Sequence, residues 1–154
     1  MRSTPGVPLV ERLRQLRAER KLPIYRIADT LGLNPKTVSS WEQQHTSPAI
    51  QHANAYAEAV GHHLVIAHRD NTPVADITQA LLELRQLRRR RGLSQQTVGE
   101  RMYVHQHTVS ALEIRAARGN HVGLETLEPY LSALGYTITL AAGERAAARE
   151  QVSA

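Results

Sequence analysis

The sequence predicts a mainly α-helical chain of two tandem units, each with four or five short helices followed by a short β-strand. Two observations predict it. The chain matches itself when displaced by 71 residues: Leu13-Arg14-Gln15-Leu16-Arg17 falls on Leu84-Arg85-Gln86-Leu87-Arg88, Thr37-Val38-Ser39 falls on Thr108-Val109-Ser110, and Glu42 falls on Glu113. After a three-residue insertion in the second copy, Tyr56 matches Tyr130 and Gly61 matches Gly135, so the repeat runs through each whole unit. Within each unit, apolar residues recur every three or four positions, as on the buried side of a helix. They then give way to a brief alternation rich in β-branched residues, as in a strand.

The elements follow in order. The first unit opens with the helical stripe Leu9, Leu13 and Leu16, and the second with Ile77, Leu81, Leu84 and Leu87. Pro23 stops the first of these helices, because proline has no N–H and crowds the preceding turn, and Gly92 can cap the second. A second helix is expected over about 24–31, and its counterpart over about 95–102 behind Ser94 as N-cap. The third begins at Asn34-Pro35, an N-cap followed by proline at the first helical position, where the missing N–H leaves no gap. Its partner covers about 106–115. A fourth starts with Ser47-Pro48 in one unit and near Leu124 in the other, ending at Gly61 and Gly135 as left-handed caps.

His63 to Ala67 and Tyr136 to Leu140 then read as strands. A lone strand leaves both edges unpaired, so the two are expected to pair, either within one chain as a pseudo-twofold monomer or between chains as a homodimer. The polar run His68-Arg69-Asp70-Asn71-Thr72-Pro73 reads as a linker or turn. The expected domains are 8–68 and 76–142, each with its terminal strand, joined by a linker at 69–75 and followed by a tail at 143–154.

Composition narrows the class. Nineteen Lys and Arg against 14 Asp and Glu give a formal net charge of +5 and a pI near 10.1, which favours a polyanionic partner, nucleic acid first. With no Cys there is no disulfide framework, thiolate zinc site or Cys nucleophile. No apolar run approaches the ~18 residues of a membrane span, and no signal-peptide core is present, so a cytoplasmic protein is expected. Phe is absent and Trp occurs once, so the cores must be aliphatic.

About three residues join helices two and three in each unit, which forces a sharp bend and a close crossing. Ala28 and Gly99 are the small residues expected at that crossing. Ile27, Leu31, Leu33, Val38 and Trp41 are expected to fill the core, with Val98, Met102, Val104, Val109 and Leu112 in the second copy. Gly32 suits a left-handed turn; Tyr103 holds the equivalent place and is expected to be strained or to reshape the turn.

The runs Leu93-Ser94-Gln95-Gln96-Thr97-Val98 and Thr108-Val109-Ser110-Ala111-Leu112-Glu113 resemble the second helix and recognition helix of the Cro/C1-type helix-turn-helix family, the lambda-repressor-like DNA-binding domains. The first unit, departing at Ile24 where the family often has the Gln kept as Gln95, is similar to it too. The resemblance covers about 9–67 and 80–140 and implies two tandem lambda-repressor-like domains that bind double-stranded DNA.

The mechanism so implied lays helix three in the major groove. The base-reading candidates are Pro35, Lys36, Thr37, Ser40 and Gln44 in the first unit, and Gln106, His107, Thr108, Ala111 and Arg115 in the second. Gln106 leads, because its amide can pair bidentately with adenine; by the resemblance, Gln95 would brace it. Arg14, Arg17, Arg85, Arg88, Tyr25 and Gln96 are the phosphate-contacting candidates. Trp41, Tyr56, Tyr130 and Tyr136 are read as core residues rather than stacking platforms.

The function expected is a transcriptional regulator, and a repressor in particular, reading an asymmetric operator through two unlike helices. How the family is used suggests a phage or mobile-element immunity repressor. The alternative is an antitoxin that neutralises a partner toxin, through the strands or the Ala-rich tail, and autoregulates by DNA binding. No phosphate-cradling Gly loop, paired carboxylates or nucleophile motif supports an enzyme. The pairs His62-His63 and His105 with His107 lack the i, i+4 spacing that aims two imidazoles at one ion, so neither metal nor cofactor is expected.

Overall fold

The computed structural model describes residues 7–143. The first unit contains α1 (Leu9–Glu19), α2 (Ile24–Leu31), α3 (Pro35–Glu42), α4 (Ile50–Ala59) and β1 (His62–His68). The second contains β2 (Pro73–Asp76), α5 (Ile77–Leu82), α6 (Leu84–Arg90), α7 (Gln95–Met102), α8 (Gln106–Ala117), α9 (Leu124–Leu134) and β3 (Tyr136–Ala142). The helices begin where local chemistry places them. The Asn34 side chain accepts from the Lys36 N–H at the start of α3, and Ser94 accepts from the Thr97 N–H at the start of α7. Gly135 ends α9 at φ 88, a left-handed conformation that glycine adopts without steric cost.

Three features differ from the sequence-based expectation. The expected linker is partly a strand: β2 pairs antiparallel with β1, the chain reversing through 69–72. Nothing in a short Pro-Val-Ala-Asp run announces a strand, and pairing with the open edge of β1 decides it. The stripe Ile77–Leu87 is not one helix, since Glu83 leaves helical geometry at φ −125, ψ 25 and divides α5 from α6. The fourth helix of the first unit starts at Ile50, two residues after Pro48, because Ala49 is extended and bridges across to Gly123.

The sheet has the order β2-β1-β3 with β1 central, and its register exposes an internal twofold axis. Val65 pairs with Thr139, which stands 74 residues further on, the repeat offset after the insertion. The other pairs are mirror images about this one: His62 meets Ala142 while His68 meets Tyr136. The isolated bridge Ala49–Gly123 joins a second pair 74 residues apart. Its two bonds are mutual, the Ile50 N–H donating to Val122 O (2.7 Å) and the Leu124 N–H to Pro48 O (2.9 Å). A line through these two self-equivalent pairs relates the units as a dyad relates two protomers. The segment that would mirror β2, residues 2–5, lies outside the described residues.

The core runs continuously through both units. Leu13, Ile27, Ile50 and Leu64 on one side, and Leu84, Val98, Leu127 and Leu131 on the other, are fully buried and aliphatic, as the lack of Phe requires. Ile66 and Ile138 carry it across the sheet. Among the described residues no helix is long and apolar enough to cross a membrane.

Candidate nucleic-acid interface

Helix crossing in each unit depends on one small residue. Ala28 is fully buried on α2. At Gly99 on α7, a Cβ would stand 2.8 Å from the Val104 carbonyl oxygen, so only glycine lets the turn pass this closely. The turns themselves match. Gly32 caps α2 at φ 70, ψ 32, and Tyr103 caps α7 at φ 59, ψ 38. Tyrosine therefore does not reshape the turn; it takes the left-handed conformation, and the residue is 96% exposed.

Each bihelical corner is fixed from beneath by a buried polar trio. In the second unit Arg88 Nε donates to Glu113 Oε2 (2.7 Å), Arg88 Nη1 to Leu93 O (2.9 Å) and the Tyr130 hydroxyl to Glu113 Oε2 (2.7 Å). In the first, Arg17 Nε donates to Glu42 Oε2 (2.8 Å), Arg17 Nη1 to Leu22 O (2.8 Å) and the Tyr56 hydroxyl to Glu42 Oε2 (2.6 Å). Burial pushes both phenols upward, with the carboxylate they face adding to it, so they stay protonated donors. Burial also acts to raise the Glu113 carboxyl. The hydrogen bonds from Arg88, Tyr130 and Gln95 outweigh it and hold the group below its ordinary 4.5.

This geometry corrects two expected roles. Arg17 and Arg88 do not face outward to phosphates, because Arg17 ties α1 to a carboxylate on α3 and Arg88 ties α6 to one on α8; Arg88 is only 6% exposed. Gln95 does not brace Gln106: its Nε2 donates to Glu113 Oε1 (3.0 Å). The buried trios escaped the sequence reading, although Arg17, Glu42 and Tyr56 and their three repeats were visible as matching letters. Charge alone suggested an outward face, and recurrence of a cation, an anion and a phenol together was the available signal.

The base-reading candidates differ in how far they are exposed. On α8, Gln106, His107, Thr108, Ala111 and Arg115 are exposed, and Val109, Leu112, Glu113 and Ala116 are buried on the other side. At 100° per residue, positions 107, 111 and 115 form one outward stripe. The His105 side chain caps α8 by accepting from the His107 N–H (3.1 Å), and the two imidazoles stack at 4.6 Å. Arg115 Nη2 donates to His121 O (2.8 Å).

On α3, Pro35, Lys36 and Thr37 are exposed, and Ser40 is half-buried with its hydroxyl accepting from Thr46 (2.9 Å). Gln44 lies beyond the helix end, in left-handed geometry at φ 62. The four extra residues of α8 relative to α3 follow Glu113, so this helix is longer by about one turn.

Of the other phosphate candidates, Tyr25 is exposed on the first turn of α2 and Gln96 on the first turn of α7. Arg14 pairs with Glu11 one turn back, a surface contact. Arg85 and Gln95 line one shallow recess with Ser110 and Ile114 of α8, which brings them beside the candidate groove-facing helix.

Comparison with known proteins supports the first unit directly. Residues 13–64 match the family HTH_3, described as helix-turn-helix. The match spans α2, the turn, α3 and α4, together with most of α1 and the start of β1, and it supports DNA binding by this domain. No match was found among curated proteins or among solved structures.

The histidine pairs each make contacts through the ring or through Nδ1. His62 Nδ1 lies 3.1 Å from Val60 O and His63 Nδ1 lies 2.9 Å from Gly143 O, while His105 caps α8 as described. The tail from 144 onward, considered as a partner-binding surface, lies outside the described residues.

Proposed function

We propose that the chain is a sequence-specific regulator of transcription that binds double-stranded DNA with both units at once, a single chain performing what two subunits of a symmetric dimer would perform. The observation that carries this reading is the internal twofold: the pairs Val65–Thr139 and Ala49–Gly123 both lie on it. The bihelical corner α2–α3 is thereby repeated as α7–α8. The bridge at Ala49 and Gly123 follows each outward helix within a few residues, so both helices flank the axis near one end of the molecule. Duplex DNA has pseudo-dyads of its own, and such a protein meets it with half-sites about one helical turn, roughly 10 base pairs, apart.

The two helices present different chemistry, Pro35, Lys36 and Thr37 against Gln106, His107 and Thr108. The reading therefore requires unlike half-sites and an asymmetric operator. A compact two-headed protein of this kind acts most simply as a repressor, by occluding polymerase.

The test is binding to duplexes selected from random sequence. Gln106→Ala is expected to weaken binding to the selected site by about 1–3 kcal/mol and to relax preference at one base in the second half-site. Lys36→Ala is expected to act in the first half-site. Equal losses on selected and scrambled duplexes would remove Gln106 from its assigned role. Affinity should also fall steeply with salt, as condensed counterions are released from the phosphates.

A further inference from the structure

We propose that Gln51, through its grip on residues 118–123, sets the spacing at which the two units engage DNA; this rests on the two-headed reading above. The Ala49–Gly123 bridge alone contributes two hydrogen bonds between the units at this end of the molecule. The Gln51 side chain adds two more, its Nε2 donating to Asn120 O (3.1 Å) and its Oε1 accepting from the Val122 N–H (3.1 Å). The seam is held elsewhere by the β1–β3 ladder and the shared core, and at this end the bridge alone is a two-bond contact. Extended to four bonds, it becomes a short ladder that resists rotation.

The grip closes a path between the two outward helices. Arg115, in the last turn of α8, holds His121 O (2.8 Å), and the same loop holds Gln51 on the first turn of α4. Next to Gln51, the His52 ring lies edge-on to His121 (4.9 Å between centroids) and stacks on Trp41 of α3 (5.8 Å). Every step from α8 to α3 is thus a direct contact, and Gln51 is the side chain that makes both of its hydrogen bonds across the axis.

The device is one-sided. The counterpart of Gln51 is Glu125, 74 residues on, whose side chain lacks the amide N–H and is exposed. The connection it would grip in the first unit spans 43–49, against 118–123 in the second.

The experiment uses the full chain, as wild type, Gln51→Ala and Gln51→Glu, and a library of random duplexes of about 30 base pairs, long enough for two half-sites. The selected duplex is then remade with one or two base pairs inserted or deleted between the half-sites. For wild type, a one-base-pair change is expected to cost about tenfold or more in affinity. For Gln51→Ala the penalty should shrink to about threefold, while affinity for a duplex carrying a single half-site stays unchanged. Gln51→Glu keeps the acceptor for the Val122 N–H and loses the donor, so its penalty should fall between the two.

A spacing penalty in Gln51→Ala as sharp as that of wild type overturns the inference and leaves the two-headed reading standing. So does a loss that is equal at every spacing and on the single half-site. Failure of wild type to select paired half-sites overturns the two-headed reading itself.

Discussion

Arg88 and Arg17 show how a charge read as surface becomes a core element. Each guanidinium meets a carboxylate in two hydrogen bonds and a backbone carbonyl in a third, and each carboxylate also receives a phenol. Desolvating such groups is costly, and the arrangement holds only because every partner is present. Arg88→Ala would leave the buried Glu113 without its cation, and a loss of about 3–5 kcal/mol in folding stability is expected. Urea unfolding checks it; a variant that kept its stability but lost affinity for all DNA alike would restore the phosphate role. Arg14 and Arg85, on the same helices, stay at the surface, so a single pattern of basic residues holds two different roles, and only the carboxylate two helices further on separates them.

At the scale of elements, the corner α7–α8 is built on two backbone constraints. Gly99 leaves no room for a methyl group, and Gly99→Ala is expected to cost about 1–3 kcal/mol by forcing the turn away from α7. Tyr103 has the opposite sign. Its left-handed backbone costs about 1–2 kcal/mol and its exposed ring gains little packing in return. Tyr103→Gly should therefore raise the unfolding midpoint by an amount worth up to about 1 kcal/mol, after the extra chain entropy of glycine is deducted. A lowered midpoint would show that the ring makes a contact that stabilises the fold.

The helices were legible in the sequence because their signals are local: Asn34-Pro35, Ser94, the glycine at 135 and an apolar residue every third or fourth place. The strand β2 and the break at Glu83 were not, since both depend on what lies opposite in space. The strands β1 and β3 were visible as elements, and their pairing was one of two possibilities. The register that places Val65 against Thr139 needs the coordinates.

At the scale of the molecule, the seam on the pseudo-dyad carries a titratable group. Burial, aided by His121, holds the His52 imidazole below its ordinary 6.5. In the unfolded chain that group takes up a proton as pH falls through about 6.5, and in the folded chain it resists until lower pH. Between the two values the unfolded state binds more protons, so stability falls on acidification. The contribution is intact at neutral pH and is lost below it. Urea midpoints between about pH 7 and 5.5 should decline in wild type and decline less in His52→Gln. Equal slopes would place the pH dependence elsewhere. Below that range a second loss is expected as the Glu113 carboxyl, held under 4.5 in the fold, becomes protonated.

The central claim is that one chain acts as a two-headed reader. The most direct measurement is the native mass of the complex formed with a duplex selected from random sequence, combined with a footprint of the same complex. One chain per duplex, protecting two unlike half-sites about one helical turn apart, is the predicted result. Two chains on a perfect palindrome, or one chain protecting a single half-site, would contradict it.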